Sequence, residues 1–321
     1  MSADFKMGFI GVGHMGQYHV NVVSQLPTHK ISGVFDADPD RCKLIADRFN
    51  VSCSESINEL LENSDAITIG VPTRLHYEIA KKALEKGCHI LIEKPITETI
   101  AQAEEIINLA AKKNLILQVG HVERFNGAVL ELQKIVTKPL LIETKRLSPF
   151  STRISDVGVV LDLLIHDLDI VLNLVKSPLK EYNAFGKSVK TSFEDIAVIN
   201  LLFENGTIAT LTASRVSQVK DRTLIAMQEN SHVKLNYANQ DIEIHRQASS
   251  ANLTTPDEIR YSQESFVENL YVHKDNPLKS EQIHFYNCIT QGTKPIVSNE
   301  KDMETLKIAL GSIEQIRKQI C

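Results

Sequence analysis

The stretch Lys6-Met7-Gly8-Phe9-Ile10-Gly11-Val12-Gly13-His14-Met15-Gly16 decides the fold. An apolar run of strand length, Lys6–Ile10, meets the glycine loop G-V-G-H-M-G, and a helical pattern follows over Met15–Leu26. The G-x-G-x-x-G spacing is weak evidence alone, but between a strand and a helix it acquires a physical meaning. Gly11 permits a tight turn, Gly13 puts no side chain in the way of a pyrophosphate, and Gly16 lets the helix pack closely on the strand. The helix N-terminus then offers free N–H groups and the positive end of its dipole to phosphates. Asp36 lies twenty positions after Gly16, at the end of the next apolar run, Ile31–Phe35. A carboxylate there can accept hydrogen bonds from the adenosine ribose hydroxyls and would repel a 2′-phosphate. The residues that follow it, Ala37, Asp38 and Pro39, include no arginine. The cofactor expected is therefore NAD rather than NADP.

The pattern continues outward from this unit. Apolar runs at Ala66–Val71, His89–Ile92 and Leu115–Val119 alternate with helical patterns at Asp40–Phe49, Arg74–Lys86 and Thr99–Lys113. Strands without period-two alternation, separated by helices, imply a parallel sheet covered on both faces. After Gly120 the rhythm changes. A strand is expected at Leu140–Leu147 and an apolar helix at Val159–Val175. Strand-like runs then follow at Ala197–Phe203, Thr207–Ser214, Thr223–Gln228, His232–Tyr237 and Ile242–His245. Glu204-Asn205-Gly206 suits a hairpin turn between the first two of these. Ala248–Lys279 is weakly patterned and reads as a long loop, and helices are expected at Glu281–Gln291 and Asp302–Gln319. The fold class expected is α/β: an N-terminal dinucleotide-binding domain with a parallel sheet over residues 1–120, then an α+β domain with a mostly antiparallel sheet over residues 121–321. The closing helix is able to pack back on the first domain.

The chain has 321 residues, of which 43% are hydrophobic and 23% charged, which is ordinary globular composition with enough apolar mass for two cores. A formal net charge of −5 gives no basic field to attract nucleic acid or anionic membrane, although basic residues can still gather at an anionic small molecule. No uncharged apolar run is long enough to span a bilayer, and the first residues lack the layout of a signal peptide. The five cysteines, Cys42, Cys53, Cys88, Cys288 and Cys321, are odd in number and form no C-x-x-C pair, so a reduced cytoplasmic protein without a disulfide framework is expected.

Two features carry candidate chemistry. Glu93-Lys94-Pro95 directly follows the strand that ends at Ile92, and ligands of open parallel sheets bind beyond the carboxyl ends of the strands. Lys94 there can hydrogen-bond a substrate oxygen and help manage its proton. A surface lysine before a turn proline explains the position equally well. Asp162 and His166, four apart in V-V-L-D-L-L-I-H-D-L-D, share one face of an otherwise apolar helix. A buried polar pair there needs a reason, and histidine titrates where it can take a hydroxyl proton. A lone histidine is more often a satisfied core residue, but the paired aspartate tells against that. Asp169 lies on the same stripe, which opens a metal reading, but no further ligand cluster supports it and no metal is expected.

Together these motifs resemble the glucose–fructose oxidoreductase and inositol dehydrogenase family (Gfo/Idh/MocA) along the whole chain. The resemblance rests on Gly11, Gly13 and Gly16 followed by His19, and on Val71-Pro72-Thr73-Arg74-Leu75-His76 standing near the family's T-P-x-x-x-H. It rests also on an intact Glu93-Lys94-Pro95 and on the D-x-x-x-H pair Asp162 and His166. It implies a Rossmann domain joined to an α+β domain with an open, mostly antiparallel sheet. Lys94, Asp162 and His166 form the implied catalytic set, with His166 the proton acceptor and a Lys94–Pro95 bond that is often cis. The cofactor contacts it implies are Gly11, Gly13, His14, Met15, Gly16, Asp36, Pro72, Thr73, His76, Glu93, Lys94 and Gln118. Gln118–Asn126 and Arg146–Phe150 are similar to a bacterial branch that oxidises the C3 hydroxyl of UDP-N-acetylglucosamine with NAD. In that branch a partner aminotransferase then makes a 2,3-diamino sugar nucleotide for lipid A. The substrate contacts so implied are Lys94, Glu123, Arg124, Arg146, Arg153, Asp162 and His166, the arginines suiting a diphosphate. The family's R-F-x-P continuation is replaced here by Arg124-Phe125-Asn126-Gly127. The resemblance further implies a homo-oligomer, dimer or tetramer. Rival readings are a dehydrogenase of inositol, a free sugar or a UDP-N-acetylhexuronic acid, and a non-catalytic NAD-binding regulator.

Overall fold

A computed structural model describes residues 5–151, 157–248 and 264–320. The chain divides into two compact units, Met1–Phe125 with Asn276–Ile308, and Asn126–Asp275 with Ala309–Cys321. A single cut near residue 120 therefore does not describe it, because the chain returns to the first unit after Asp275.

The first unit runs β1 (Lys6–Ile10), α1 (His14–Ser24), β2 (Lys30–Phe35), α2 (Pro39–Phe49), α3 (Ile57–Glu62), β3 (Ala66–Ile69), α4 (His76–Glu85), β4 (His89–Glu93), α5 (Ile100–Lys112) and β5 (Leu117–Gly120). The five strands form one parallel sheet in the order β2-β1-β3-β4-β5. Two of the helices begin at caps the sequence supplies. Asp38 accepts from the amides of Asp40 and Arg41 with Pro39 in the first turn of α2, and Thr99 and Gln102 form a capping box at α5. Met7, Phe9, Val20, Val23, Val34 and Leu91 pack in one core with Phe285. Phe285 comes from a helix late in the chain, which explains why that segment belongs here.

In the second unit come α6 (Gly127–Ile135), β6 (Leu141–Leu147), a π-helical turn (Val160–Leu164) that runs into α7 (Ile165–Leu174), then β7 (Leu179–Lys187), β8 (Ile196–Phe203), β9 (Ile208–Ser214), β10 (Asp221–Gln228), β11 (Ser231–Asn236), β12 (Asp241–Ala248) and β13 (Glu264–Leu270). The eight strands form one sheet in the order β13-β12-β11-β10-β6-β9-β8-β7. All neighbours are antiparallel except β6 and β9. Alternation fixes its buried face: Ala197, Ile199, Leu201 and Phe203 of β8 and Ala209, Leu211 and Ala213 of β9 are buried, whereas Val198 and Asn200 are half-buried. α8 (Pro277–Thr290) returns to the first unit, and α9 (Asn299–Ile320) contributes to both.

The Rossmann sheet and the mostly antiparallel second sheet are as expected. Three differences have physical causes. The strand β13 falls in the stretch expected as loop, because its described side chains are exposed and so impose no apolar alternation. The helix expected over Val159–Val175 opens with a π turn, which apolar periodicity does not distinguish from an α turn. Finally, Cys42 and Cys53 are disulfide-bonded, which corrects the expectation of a wholly reduced chain. Chain spacing hid this pairing: after α2 the chain returns beside β2, where Cys53 bridges Val34, and Val34 packs with Cys42 in the core. Cys88 and Cys288 are buried free thiols, and Cys321 lies outside the described residues. Among the described residues no helix is long and apolar enough to cross a membrane.

Candidate active site

The carboxyl ends of β1, β3 and β4 lie on one edge of the first sheet, and each is followed by a segment singled out in the sequence. After β1, Gly11 turns at a φ of 82°, in the left-handed region. A Cβ on Gly16 would overlap the Gly11 carbonyl oxygen, so only glycine lets α1 start against this turn. Gly13, by contrast, faces open space, with nothing within 4 Å of where its Cβ would be. No side chain caps α1, and its first turn holds no acidic residue. This is the cradle a dinucleotide pyrophosphate needs, with unblocked amides, a positive dipole end and no Cβ in the way. At the end of β2, Asp36 is held by the Val12 amide (2.9 Å) and the Asp38 amide (3.0 Å). Arg41 also reaches it at 3.2 Å, because the first turn of α2 brings this side chain back to the strand end. Asp38 is the second partner of Arg41, so the corner keeps two carboxylates to one guanidinium, as suits ribose hydroxyls rather than a phosphate.

Beyond β4, Lys94 is half-buried and is joined to Pro95 by a cis peptide. Glu93 is buried beneath it and accepts from His19 Nε2 (2.8 Å) and from the Lys94 amide (3.3 Å). Gln282 Nε2 donates to His19 Nδ1 (2.7 Å), which leaves Nε2 carrying the proton toward Glu93. Burial works to raise the Glu93 carboxyl, but the hydrogen bonds from His19 and the Lys94 amide, with the Lys94 charge, outweigh it and hold the group below its ordinary value. Glu93 thus braces α1 and the Lys94 backbone from inside the protein. His76 has a comparable bracing position. It is buried, with Nδ1 2.8 Å from the Pro95 carbonyl and Nε2 2.9 Å from the Val71 carbonyl, and so ties the segment after β3 to the one after β4. Its burial pushes its pKa down against those backbone bonds. In the turn between β3 and α4, Pro72 is exposed and Thr73 half-buried. Gln118 on β5 is buried, and neither atom of its amide has a partner among the described residues.

Sequence reasoning missed Glu281 on α8. It is fully buried, and neither of its carboxyl oxygens has a hydrogen-bond partner among the described residues. Burial, with the nearby charge of Glu93 adding to it, pushes its pKa well above the ordinary value in spite of Arg124. The signal was present: Leu278, Glu281, Gln282 and Phe285 are buried at spacings of three, four and seven, so two polar residues occupy the apolar stripe of α8.

In the second unit, Asp162 sits in the middle of the π turn and His166 in the first turn of α7. Both are half-buried on a segment whose neighbours Leu164, Ile165, Asp167 and Leu168 are buried. Asp169 is buried instead, with its carboxylate accepting from Asn173 at 3.1 Å, so it does not share their exposure. Two of the expected arginines are buried in ion pairs. Arg146 is buried on β6, pairs with Asp167 through two bonds of 2.7 and 3.0 Å, and lies 4.7 Å over the Tyr237 ring. Arg124, in the first unit, is buried and paired with Asp302. Each guanidinium is thus paired with a carboxylate of its own unit. Glu123 is half-buried in the short turn before α6, and Arg153 lies outside the described residues. The Asn126-Gly127 departure is explained locally. Asn126 caps α6 through the Ala128 amide (3.1 Å) and donates to the Tyr237 carbonyl (3.1 Å), while a Cβ on Gly127 would overlap the His273 carbonyl oxygen.

Two family models match the chain: the oxidoreductase family with an NAD-binding Rossmann fold over residues 5–121, and the GFO/IDH/MocA C-terminal domain over residues 127–233. The chain belongs to the Gfo/Idh/MocA family. It is an NAD-dependent oxidoreductase. Within the family it is 32% identical over 245 residues to the UDP-N-acetylglucosamine 3-dehydrogenase of Acidithiobacillus ferrooxidans, covering 76% of this chain and 78% of the relative. A crystal structure of that enzyme superposes with a TM-score of 0.89 at 28% identity, covering 97% of each chain. The scyllo-inositol 2-dehydrogenase (NAD(+)) of Bacillus subtilis is 24% identical over 99% of this chain and 95% of its own length.

Proposed function

We propose that this Gfo/Idh/MocA member oxidises the C3 hydroxyl of UDP-N-acetylglucosamine to the 3-keto sugar. The observation that carries the substrate is the 32% identity over three quarters of the chain to an enzyme of that activity. Bound NAD supplies a hydride acceptor at its nicotinamide ring. In this reading Lys94 hydrogen-bonds the C3 oxygen and stabilises the charge that grows there as its proton leaves. His166 takes that proton, and Asp162 orients the imidazole and favours its protonated form. The C3–H pair leaves as hydride while the O–H proton goes to His166, so one ketone, one NADH and one proton result. Gly11, Gly13, His14, Met15, Gly16, Asp36, Pro72, Thr73, Lys94 and Gln118 line the cofactor, the unpartnered Gln118 amide gaining its partner there. Lys94, Glu123, Asp162 and His166 are the residues proposed to bind the sugar nucleotide. The same proposal has the enzyme act in the cytoplasm as a homo-oligomer. Its ketone passes to an aminotransferase on the way to a 2,3-diamino sugar of lipid A.

The test is a panel read by NADH absorbance: UDP-N-acetylglucosamine, N-acetylglucosamine, a UDP-N-acetylhexuronic acid, myo-inositol and scyllo-inositol. UDP-N-acetylglucosamine should give the highest kcat/KM. An inositol turned over faster would transfer the assignment to the inositol dehydrogenases, to one of which the chain aligns over nearly its full length. Tight NAD binding with no turnover on any member would point to a regulatory NAD-binding protein instead.

A further inference from the structure

Glu194, between β7 and β8, grips the start of the segment that carries Asp162 and His166. It is buried; its backbone carbonyl accepts from the Val159 amide (2.9 Å) and its side-chain Oε1 from the Val160 amide (3.2 Å). The π turn begins at Val160, and no residue of its own caps it, so Glu194 supplies the acceptors that a helix start otherwise lacks. Two further observations show a fitted contact. Gly158 lies so close that a Cβ on it would overlap the Glu194 carboxylate. The next residue, Asp195, is locked in place: the amides of Val189 (2.7 Å), Lys190 (2.6 Å) and Thr191 (3.0 Å) and Arg215 Nε (2.7 Å) all donate to it. Arg215 in turn donates to the Val157 carbonyl (2.7 Å), on the other side of Gly158. The lead into the helix is therefore held at Val157 by Arg215 and at Val159 and Val160 by Glu194.

We propose that Glu194 is a positioning residue for the Asp162–His166 pair. A π turn holds one residue more than an α turn and persists only where its surroundings impose it. Asp162 lies within that turn, so relaxation to α geometry would change the angle between Asp162 and His166. Fixing the amides of Val159 and Val160 prevents that relaxation and keeps the two side chains in register.

The inference rests on the reading of Asp162 and His166 as catalytic, and His166→Ala tests that reading separately. Four variants test the inference itself, with kcat and KM measured on protein shown to be fully folded by circular dichroism at the assay temperature. Glu194→Ala should lower kcat roughly 10- to 100-fold, as misplaced reacting groups do, with KM for NAD changed by less than about twofold. Gly158→Ala should reproduce that split with Glu194 still present, because the methyl group displaces its carboxylate. Glu194→Gln, which keeps the accepting oxygen, should recover most of the lost kcat. Glu194→Asp, which keeps the charge but not the reach, should fall with alanine, and it answers the question if the alanine variant does not fold. If His166→Ala is inactive while Glu194→Ala and Gly158→Ala keep wild-type kcat, the inference is overturned and the functional reading stands. Equal losses in the glutamine and alanine variants would also overturn it, because the accepting oxygen would then not be what matters.

Discussion

Gly16 and Glu281 mark the two ways a single residue governs the first unit. At Gly16 there is no room for a methyl group, because the Gly11 carbonyl oxygen occupies the place. Gly16→Ala should therefore shift the start of α1 and weaken NAD binding at least tenfold, measured by calorimetric titration, while Gly13→Ala should leave the fold intact and obstruct only the open cradle. At Glu281 the burden is electrostatic. Its folded pKa stands well above its unfolded value, so between the two the native chain keeps a proton that the unfolded chain releases, and stability falls as pH rises through that window. The loss is up to about 1.4 kcal/mol per pH unit there. Glu281→Gln cannot ionise, so its melting temperature should match the wild type near pH 4 and exceed it at pH 8. A wild type that gains stability over this range relative to the glutamine variant would contradict the assignment. Glu93 works in the opposite sense. Its lowered pKa contributes stability that is present above the unfolded value and lost as pH falls through the folded one.

At the scale of elements, the buried Arg146–Asp167 pair joins β6 to α7, the helix that carries His166. Removing one partner strands a buried charge. Asp167→Ala should therefore cost about 3–5 kcal/mol in denaturant unfolding, and Arg146→Ala a similar amount. A loss below about 1 kcal/mol would return Arg146 to the sugar-nucleotide contacts expected from the sequence. That arginine shows where sequence reading ran out. A basic residue near a cleft-forming motif suggests an anion, but its partner Asp167 lies 21 positions away and only the packing of α7 on the sheet brings the two together. The same limit applies to His76 and Glu93, whose motifs were visible although their partners, backbone carbonyls and His19, were not. What the residues did reveal follows from local rules. Strand, glycine turn and helix at Lys6–Ser24 needed no distant contact, and neither did the strand-like run at β8 nor the helical pattern at α2. β13 stayed hidden because an exposed strand leaves no apolar period to read.

For the molecule as a whole, the proposed chemistry draws on residues of both units: the glycine cradle and Lys94 belong to the first, Asp162 and His166 to the second. The family and the cofactor follow from the chain itself, whereas the position of attack on the sugar is what the proposal adds. General base catalysis by His166 predicts that His166→Ala lowers kcat/KM by roughly 10²–10⁴-fold while NAD affinity is retained. The most direct measurement uses UDP-N-acetylglucosamine carrying deuterium at C3, with the NADH formed analysed by mass spectrometry. The account predicts that each NADH carries one deuterium taken from the sugar. Unlabelled NADH, or no NADH from this sugar nucleotide, would contradict it.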